Sequence, residues 1–496
     1  MSEEPVDVLI IGAGASGAAM AWSLAETKMH IVCLEQGGLM NPLAYPSTGR
    51  DWEARRQGDF STSPNIRKLP SDYPINDDDS PIKVANFNGV GGGTILYAGH
   101  YPRFHPSDFR VYPRDNAHRL PPLPLGRAGA RLAEGFNKMG WHWWPSDTAI
   151  ITEDYDGRAK CINLGACGAG CAQGAKGSAD VTYWPHALRA GVELRTRCRV
   201  REITVGDDGM ATGAIYYDAN GDEQEIRAHV VVVACNGVGT PRMLLNSKSR
   251  LFPDGLANSS GLVGKNLMFH PYASIQGVFD DPLDGYAGPA KAIRSQEFYE
   301  TDPDRGFLRG YTLEITRGMG PVRTVQTAMS HARIPWGDGH HRAARNMINR
   351  ITGMVAVCED LPEEHNRVTL DPDLTDGNGI PAPKISYTLS DNTKKMMDHG
   401  IARATEILTA AGAKDILSEA PIRWGGWHLM GTARMGRDPA TSVVNEWGRS
   451  HDVKNLFIID GSIFVTSAGV NPTSTIQALA LYVADQMKSR LANLFD

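Results

Sequence analysis

The strongest constraint on the fold lies between Val6 and Glu35. Val6-Asp7-Val8-Leu9-Ile10-Ile11 is short, apolar and rich in β-branched residues, the pattern of a parallel strand buried on both faces. It runs directly into Gly12-x-Gly14-x-x-Gly17, after which Ala18 to Ala25 reads as helix. A second strand, His30-Ile31-Val32-Cys33-Leu34, ends in Glu35. The glycines permit a tight turn and close approach of the backbone to a pyrophosphate, and Ala15 and Ser16 open the helix whose N-terminus favours that anion. An acid about 20 residues on accepts from ribose hydroxyls. A glycine turn alone is weak evidence, but here strand, helix and acid stand in order. The pattern requires an α/β, Rossmann-like domain that holds a dinucleotide. Glu35 favours an unphosphorylated ribose, which FAD or NAD satisfies equally.

At 496 residues the chain exceeds the ~250–300 over which one core grows, so a second domain is expected. A net charge of −6 gives no electrostatic case for nucleic acid or an anionic membrane. Val8 to Ala25 is nearly free of charge, but Glu3, Glu4 and Asp7 precede it where a signal needs positive charge, and its glycines belong to the nucleotide motif. No other run approaches the ~18–20 apolar residues of a span, so an integral membrane protein is not expected. Seven cysteines are an odd set for a disulfide framework. A cytoplasmic home is the expectation.

Further along, Asn88-Gly89-Val90-Gly91-Gly92-Gly93-Thr94 lets a backbone press against a flat ligand. Residues 41–80, rich in Pro, Asp, Ser and Arg without periodicity, read as a long surface excursion. Trp141, Trp143 and Trp144 line a substrate pocket or pack in a core. Cys161-x5-Cys167-x3-Cys171 lies among glycines. Val192 to Val205 reads as a strand and Ala211 to Ile226 as a hairpin. A buried strand, Val230 to Cys235, leads into Asn236-Gly237-x-Gly239. From about 271 to 420 the glycine-rich turns thin out. Asn366 to Asp371 and Lys384 to Tyr387 read there as strands flooring a substrate cavity, and 393–411 reads as one helix. Near the end, Trp427-His428-Leu429-Met430-Gly431-Thr432 and Val470-Asn471-Pro472-Thr473-Ser474-Thr475 flank a buried strand that closes on Asp460-Gly461. His428 and Asn471 thus sit on loops beside a buried sheet, where catalytic groups are commonly held.

This arrangement resembles the glucose-methanol-choline (GMC) family of flavin oxidoreductases. In that family a His before x-x-Gly-Thr, and a His or Asn before Pro-x-x-Thr, face the reactive edge of FAD. The resemblance implies oxidation of a CH–OH group of a sugar, polyol or other alcohol, with His428 as base and Asn471 orienting the substrate oxygen. It adds Gly91, Gly92, Gly93, Thr94, Val200, Ala234, Asp460, Gly461, Asn471, Pro472 and Thr473 to the cofactor contacts Gly12, Gly14, Ala15, Ser16, Gly17 and Glu35. The position where some relatives tether the flavin is Leu96, so FAD is expected to be non-covalent; His100 is near but out of register.

The fold implied is a discontinuous FAD domain (1–45, 80–110, 155–270 and 421–496). Residues 46–79, 111–154 and 271–420 would supply surface excursions and an α+β substrate domain on an antiparallel sheet. Bacterial sugar dehydrogenases of this family carry a three-iron (3Fe-4S) cluster on the same cysteine spacing, which implies Cys161, Cys167 and Cys171 as its ligands. The electron acceptor would be oxygen, a quinone or a redox partner subunit. With such a subunit, co-export to the periplasm is the alternative location. Aryl-alcohol oxidases and flavin-dependent hydroxynitrile lyases of the same family are the alternative functions.

Overall fold

The computed structural model describes residues 4–105, 120–317, 319–490 and 494; the boundary expected at 110/111 lies outside them. Two sheets of opposite character supply walls of one cavity. The first has a parallel core ordered Glu193–Thr196, Ile31–Glu35, Val6–Ile11, the end of Glu223–Val233, then Leu456–Ile458. From Val8 to Ile11 the strand Val6–Ile11 is apolar throughout because successive side chains enter different cores. Val8 and Ile10 pack with the helices Ala15–Leu24 and Thr473–Ser489, while Leu9 and Ile11 face Val231, Val233 and Leu244. Each such side chain contributes roughly 1.5–3 kcal/mol relative to exposure.

Glu223–Val233 corrects the sequence reading of a hairpin followed by a separate strand. Its first half alternates between exposed and buried residues and pairs antiparallel with Ala211–Tyr217. Its second half, Val230 to Val233, is continuously buried between two parallel neighbours. One strand therefore serves both arrangements. The opposite correction applies to 192–205, which breaks at Arg197, where φ is 58°. Glu193–Thr196 joins the parallel core and Arg199–Val205 turns into the meander.

The second sheet has six strands, all paired antiparallel: Asp415–Glu419, Tyr272–Val278, Ile351–Cys358, Tyr311–Thr316, Ile293–Ser295 and Trp144–Pro145. Its period-two alternation decides what reaches the cavity. Ala273, Ile275, Leu313, Ile315, Met354 and Ala356 pack under the helices Gly126–Met139 and Asp391–Ala410. Tyr272, Ser274, Gln276, Glu314, Thr316 and Val355 face the cavity instead.

Two further expectations change. Arg367–Thr375 and Pro381–Ser386 pair with each other and make single bridges to Lys265 and Asn76, and they do not line the cavity. They pack with Tyr73, Phe269 and Leu429 and against the helix Asn236–Asn246, so the floor belongs to the six-stranded sheet. Residues 41–80 are not a surface excursion: Tyr45, Phe60, Tyr73 and Ile75 are buried, and Trp52, Glu53 and Arg56 reach the cavity. No helix among the described residues is long and apolar enough to cross a membrane.

Candidate active site

One cavity of about 840 Å³ runs from the nucleotide motif to the antiparallel sheet. At its first end Gly12, Gly14, Ala15, Ser16, Glu35, Gly92, Gly93, Thr94, Val200 and Ala234 line the wall, as do Asp460, Gly461, Pro472 and Thr473. Gly12 takes φ +104°, and a Cβ there would lie 2.6 Å from the Ala234 carbonyl oxygen. Gly17 does not line the cavity; its Cβ would fall 2.0 Å from the Gly12 oxygen, so it serves the close packing of helix on strand. Gly91 also stays behind the wall, donating its N–H to the Ala13 carbonyl at 2.9 Å.

The Glu35 carboxylate accepts from the N–H groups of Ala13 (2.9 Å) and Gly37 (2.8 Å) and keeps lone pairs for a ribose, although burial raises its pKa. Asp460 accepts from Asn236 N–H, Ser462 N–H and the Thr240 hydroxyl. Two helix N-termini, at Ala15 and Thr473, open on the same space. Bare glycine backbone, helix N-termini and buried carboxylates are the donor and acceptor set that a dinucleotide requires. The residues present therefore fit FAD.

The other end brings together His428 and Asn471 with partners that sequence reasoning missed. Nε2 of His270 lies 3.0 Å from the Ser467 carbonyl oxygen and 2.6 Å from that of Ala468. Carbonyls only accept, so this nitrogen carries a proton. Burial pushes the His270 pKa down to about 4, so the ring is neutral and its Nδ1 is an acceptor. The His428 Nδ1 lies 2.7 Å from that Nδ1 and must be the donor. The Nε2 of His428 is thereby left with its lone pair, 3.5 Å from the Asn471 amide nitrogen. Burial first, then the neighbouring His270, lowers the His428 pKa well below the ordinary value. This histidine is neutral and turns an unprotonated nitrogen toward the cavity.

A second chain of contacts fixes Asn471. The His100 Nδ1 lies 2.8 Å from the Asn471 Oδ1 and 2.8 Å from the Glu314 Oε1, and the Lys291 Nζ lies 2.9 Å from the Glu314 Oε2. Burial would raise the Glu314 carboxyl, but His100 and Lys291 outweigh it and hold the group well below the usual carboxylate range. With Oδ1 accepting from His100, the Asn471 amide turns its NH₂ toward His428 and the open cavity. His100 is a buried ring between two acceptors.

The N-terminal domain of GMC oxidoreductases is matched over residues 126–272 and the C-terminal domain over 362–480. The chain is 38% identical to the 2-methyl-1,2-propanediol dehydrogenase of Mycolicibacterium austroafricanum, over 100% of this chain and 97% of that one. It belongs to the GMC oxidoreductase family. It is also 26% identical to the fructose dehydrogenase large subunit of Gluconobacter japonicus over 99% of both chains. Among solved structures, a formate oxidase of Aspergillus oryzae, solved to follow FAD modification, superposes with a TM-score of 0.69 at 15% identity over 100% of both chains.

This GMC oxidoreductase is thus an enzyme of the class that oxidises alcohol groups of sugar- or alcohol-type substrates. Nothing in the structure supports the three-iron cluster expected at the cysteine loop. Among the described residues no group of three or more His, Cys, Asp or Glu side chains is placed to hold a metal ion, and all seven cysteines are free. The Cys161 sulfur accepts from Asn163 N–H, and the Cys167 carbonyl is held by the buried Lys176 ammonium at 2.9 Å. Burial pushes the Cys167 thiol up to about 11 and raises Cys161 as well, and the three thiols stay within electrostatic reach of one another. The tryptophans lie outside the cavity: Trp141 and Trp143 pack on the core under the sheet, and the Arg294 guanidinium sits over Trp144. Of the missed residues, Glu314 had a signal in Tyr-Thr-Leu-Glu-Ile-Thr, where a lone acid interrupts an apolar strand. His100 and His270 had none.

Proposed function

We propose that this chain is an FAD-dependent dehydrogenase in which His428 takes the hydroxyl proton of a CH–OH donor while its hydride leaves for the flavin. The observation that carries this reading is the unprotonated Nε2 of His428, left facing the cavity by the His270 tautomer. FAD, when bound, supplies the hydride acceptor at flavin N5. The chain does the rest. His428 accepts the proton at Nε2, and the resulting imidazolium keeps its Nδ1–H on His270. Asn471 donates from its amide to the substrate oxygen and cannot titrate. The six-stranded sheet and the 41–80 segment enclose the donor.

The 38% identity to a diol dehydrogenase over nearly the full length of both chains supports a dehydrogenase over an oxidase, and a small diol, polyol or sugar as donor. FAD is held without a covalent bond: Leu96 stands where a tether would, and acid precipitation should leave a yellow supernatant. Anaerobic mixing with a panel of diols, sugars and aryl alcohols tests the function. Bleaching of the flavin, followed by reoxidation with an artificial acceptor faster than with oxygen, is the expected result. Turnover without bleaching would instead mark a lyase, and neither response would mark a binding protein.

A further inference from the structure

Beyond the reacting end, the cavity continues along the antiparallel sheet past Ser274, Gln276 and Thr316 to the helices Trp52–Arg56 and Pro321–Ser330. Arg56, Arg317 and Arg323 all line this outer chamber. Arg55, next door, turns outward onto Asp59 at 2.9 Å. Arg56 instead lies across the bare Gly168, where a Cβ would come within 3.0 Å of its guanidinium. Among the described residues, neither Arg56 nor Arg323 makes a hydrogen bond or ion pair through its guanidinium. The two repel one another, and burial together with that repulsion pulls Arg56 down to about 10. Arg323 also sits in the first turn of its helix, where the dipole disfavours a cation.

The carboxylates of the chamber do not explain these charges away. Glu314 is taken by His100 and Lys291. Glu53 accepts the N–H groups of Val322 and Arg323 at 2.9 Å each, capping the helix that carries Arg323. Glu419 and Glu53 are within electrostatic reach of Arg323, and Glu53 of Arg56 as well, but neither makes an ion pair with these guanidiniums. Arg317 is held by the neutral carbonyls of Pro289, Leu125 and Pro124. With Lys291 and Glu314 cancelling, three guanidiniums against two carboxylates leave one unit of positive charge. Arg56 is partly buried and Arg323 exposed, so water reaches both, and two mutually repelling guanidiniums without a partner on one cavity wall are open to an anion that can bridge them.

We infer that the outer chamber is a carboxylate subsite, in which Arg56 and Arg323 hold the acid group of a hydroxy-acid donor whose CH–OH reaches His428. The net charge suits a monoanionic carboxylate better than a phosphate dianion. The inference rests on the proposed alcohol oxidation for its substrate class, but the anion site itself does not, and the two can fail separately.

The matched pair gluconate and glucitol, which differ by a carboxylate against a CH₂OH, is compared on FAD-loaded enzyme. In parallel, pentanoate, a monocarboxylate with no hydroxyl to oxidise, is titrated by calorimetry. The wild type should bind pentanoate and use gluconate with a kcat/KM roughly tenfold or more above glucitol, the reach of one charged hydrogen bond. Arg56→Gln and Arg323→Gln should each weaken pentanoate roughly tenfold and raise the gluconate KM with little change in kcat. FAD content and melting temperature serve as checks of folding, and Arg323→Gln, on the rim of the chamber, stands in if Arg56→Gln does not fold. Pentanoate binding that is absent from the wild type, or unchanged from the wild type in both variants, overturns the subsite, as does inorganic phosphate binding more tightly than pentanoate. Arginine-dependent pentanoate binding with no alcohol bleaching the flavin would uphold the subsite and sink the oxidation.

Discussion

On the nucleotide side of the cavity the working groups belong to the main chain, whereas on the substrate side they are side chains. Gly12, Gly14, Gly92 and Gly93 shape the first wall, and two helix N-termini open on it. What matters there is the absence of a Cβ and the direction of N–H groups. The second wall is an antiparallel sheet whose alternate residues, Tyr272, Ser274, Gln276, Glu314 and Thr316, point inward. Their backbone is ordinary, and their neighbours decide what they can do. The difference teaches that the two walls should fail in different ways: the first by losing its cofactor, the second by losing its reaction while keeping it.

The sharpest break should come from Gly17→Ala. A methyl 2.0 Å from the Gly12 oxygen must part the helix from the strand, and the purified protein should carry almost no flavin by its absorbance. A fully yellow Gly17→Ala protein would remove the main-chain half of the comparison.

His428→Ala should do the converse, keeping its flavin while anaerobic flavin reduction slows roughly a hundredfold or more. The wild-type pH profile sharpens this. A base works unprotonated and fails as pH falls through its pKa, and burial holds His428 well below 6.5. The acid limb of kcat/KM should therefore lie well below the range of an ordinary histidine. A limb at 6.5 would show that His428 is not the group being titrated.

A smaller effect is expected at His270, which acts through His428. His270→Phe removes the acceptor 2.7 Å from the His428 Nδ1 and leaves it the more distant Tyr272 hydroxyl at 3.2 Å, so reduction should slow roughly tenfold, the worth of one hydrogen bond, and the acid limb should move up. His270→Gln, whose amide oxygen can accept, should recover most of the rate. Equal rates in the two variants would leave His270 as packing only.

The least effect is expected from Trp143→Phe, which lies outside the cavity and packs under the sheet. KM should change by less than about twofold, the usual reach of a substitution away from a site. A large change would return the tryptophans to the substrate pocket.

The uneven legibility of the chain follows from the same contrast. The strand–glycine–helix–acid order of residues 6–35 is local, so its fold and its cavity-lining positions were readable, apart from the inward role of Gly17 and the wall position of Gly91. The hairpin at 367–386 was misplaced because a half-buried strand pattern does not say which sheet it joins. The 41–80 segment was taken for a surface excursion because irregular loops show no periodicity even when Tyr45, Phe60 and Tyr73 are buried. The cysteine spacing put three thiols near one another in sequence, and the fold keeps them within electrostatic reach, yet among the described residues they do not converge as ligands of a metal ion.

By itself the sequence determined a dinucleotide-binding α/β domain and the family, and it singled out the pair His428 and Asn471, because each reading rests on residues close together along the chain. Only the tertiary structure decided how that pair can work. His270 stands 158 residues before His428 and takes its tautomer from carbonyls near 470, and His100 reaches Asn471 across 371 residues. A lone pair is assigned by whatever donors and acceptors surround it, and those neighbours exist only once the two sheets have closed on one cavity.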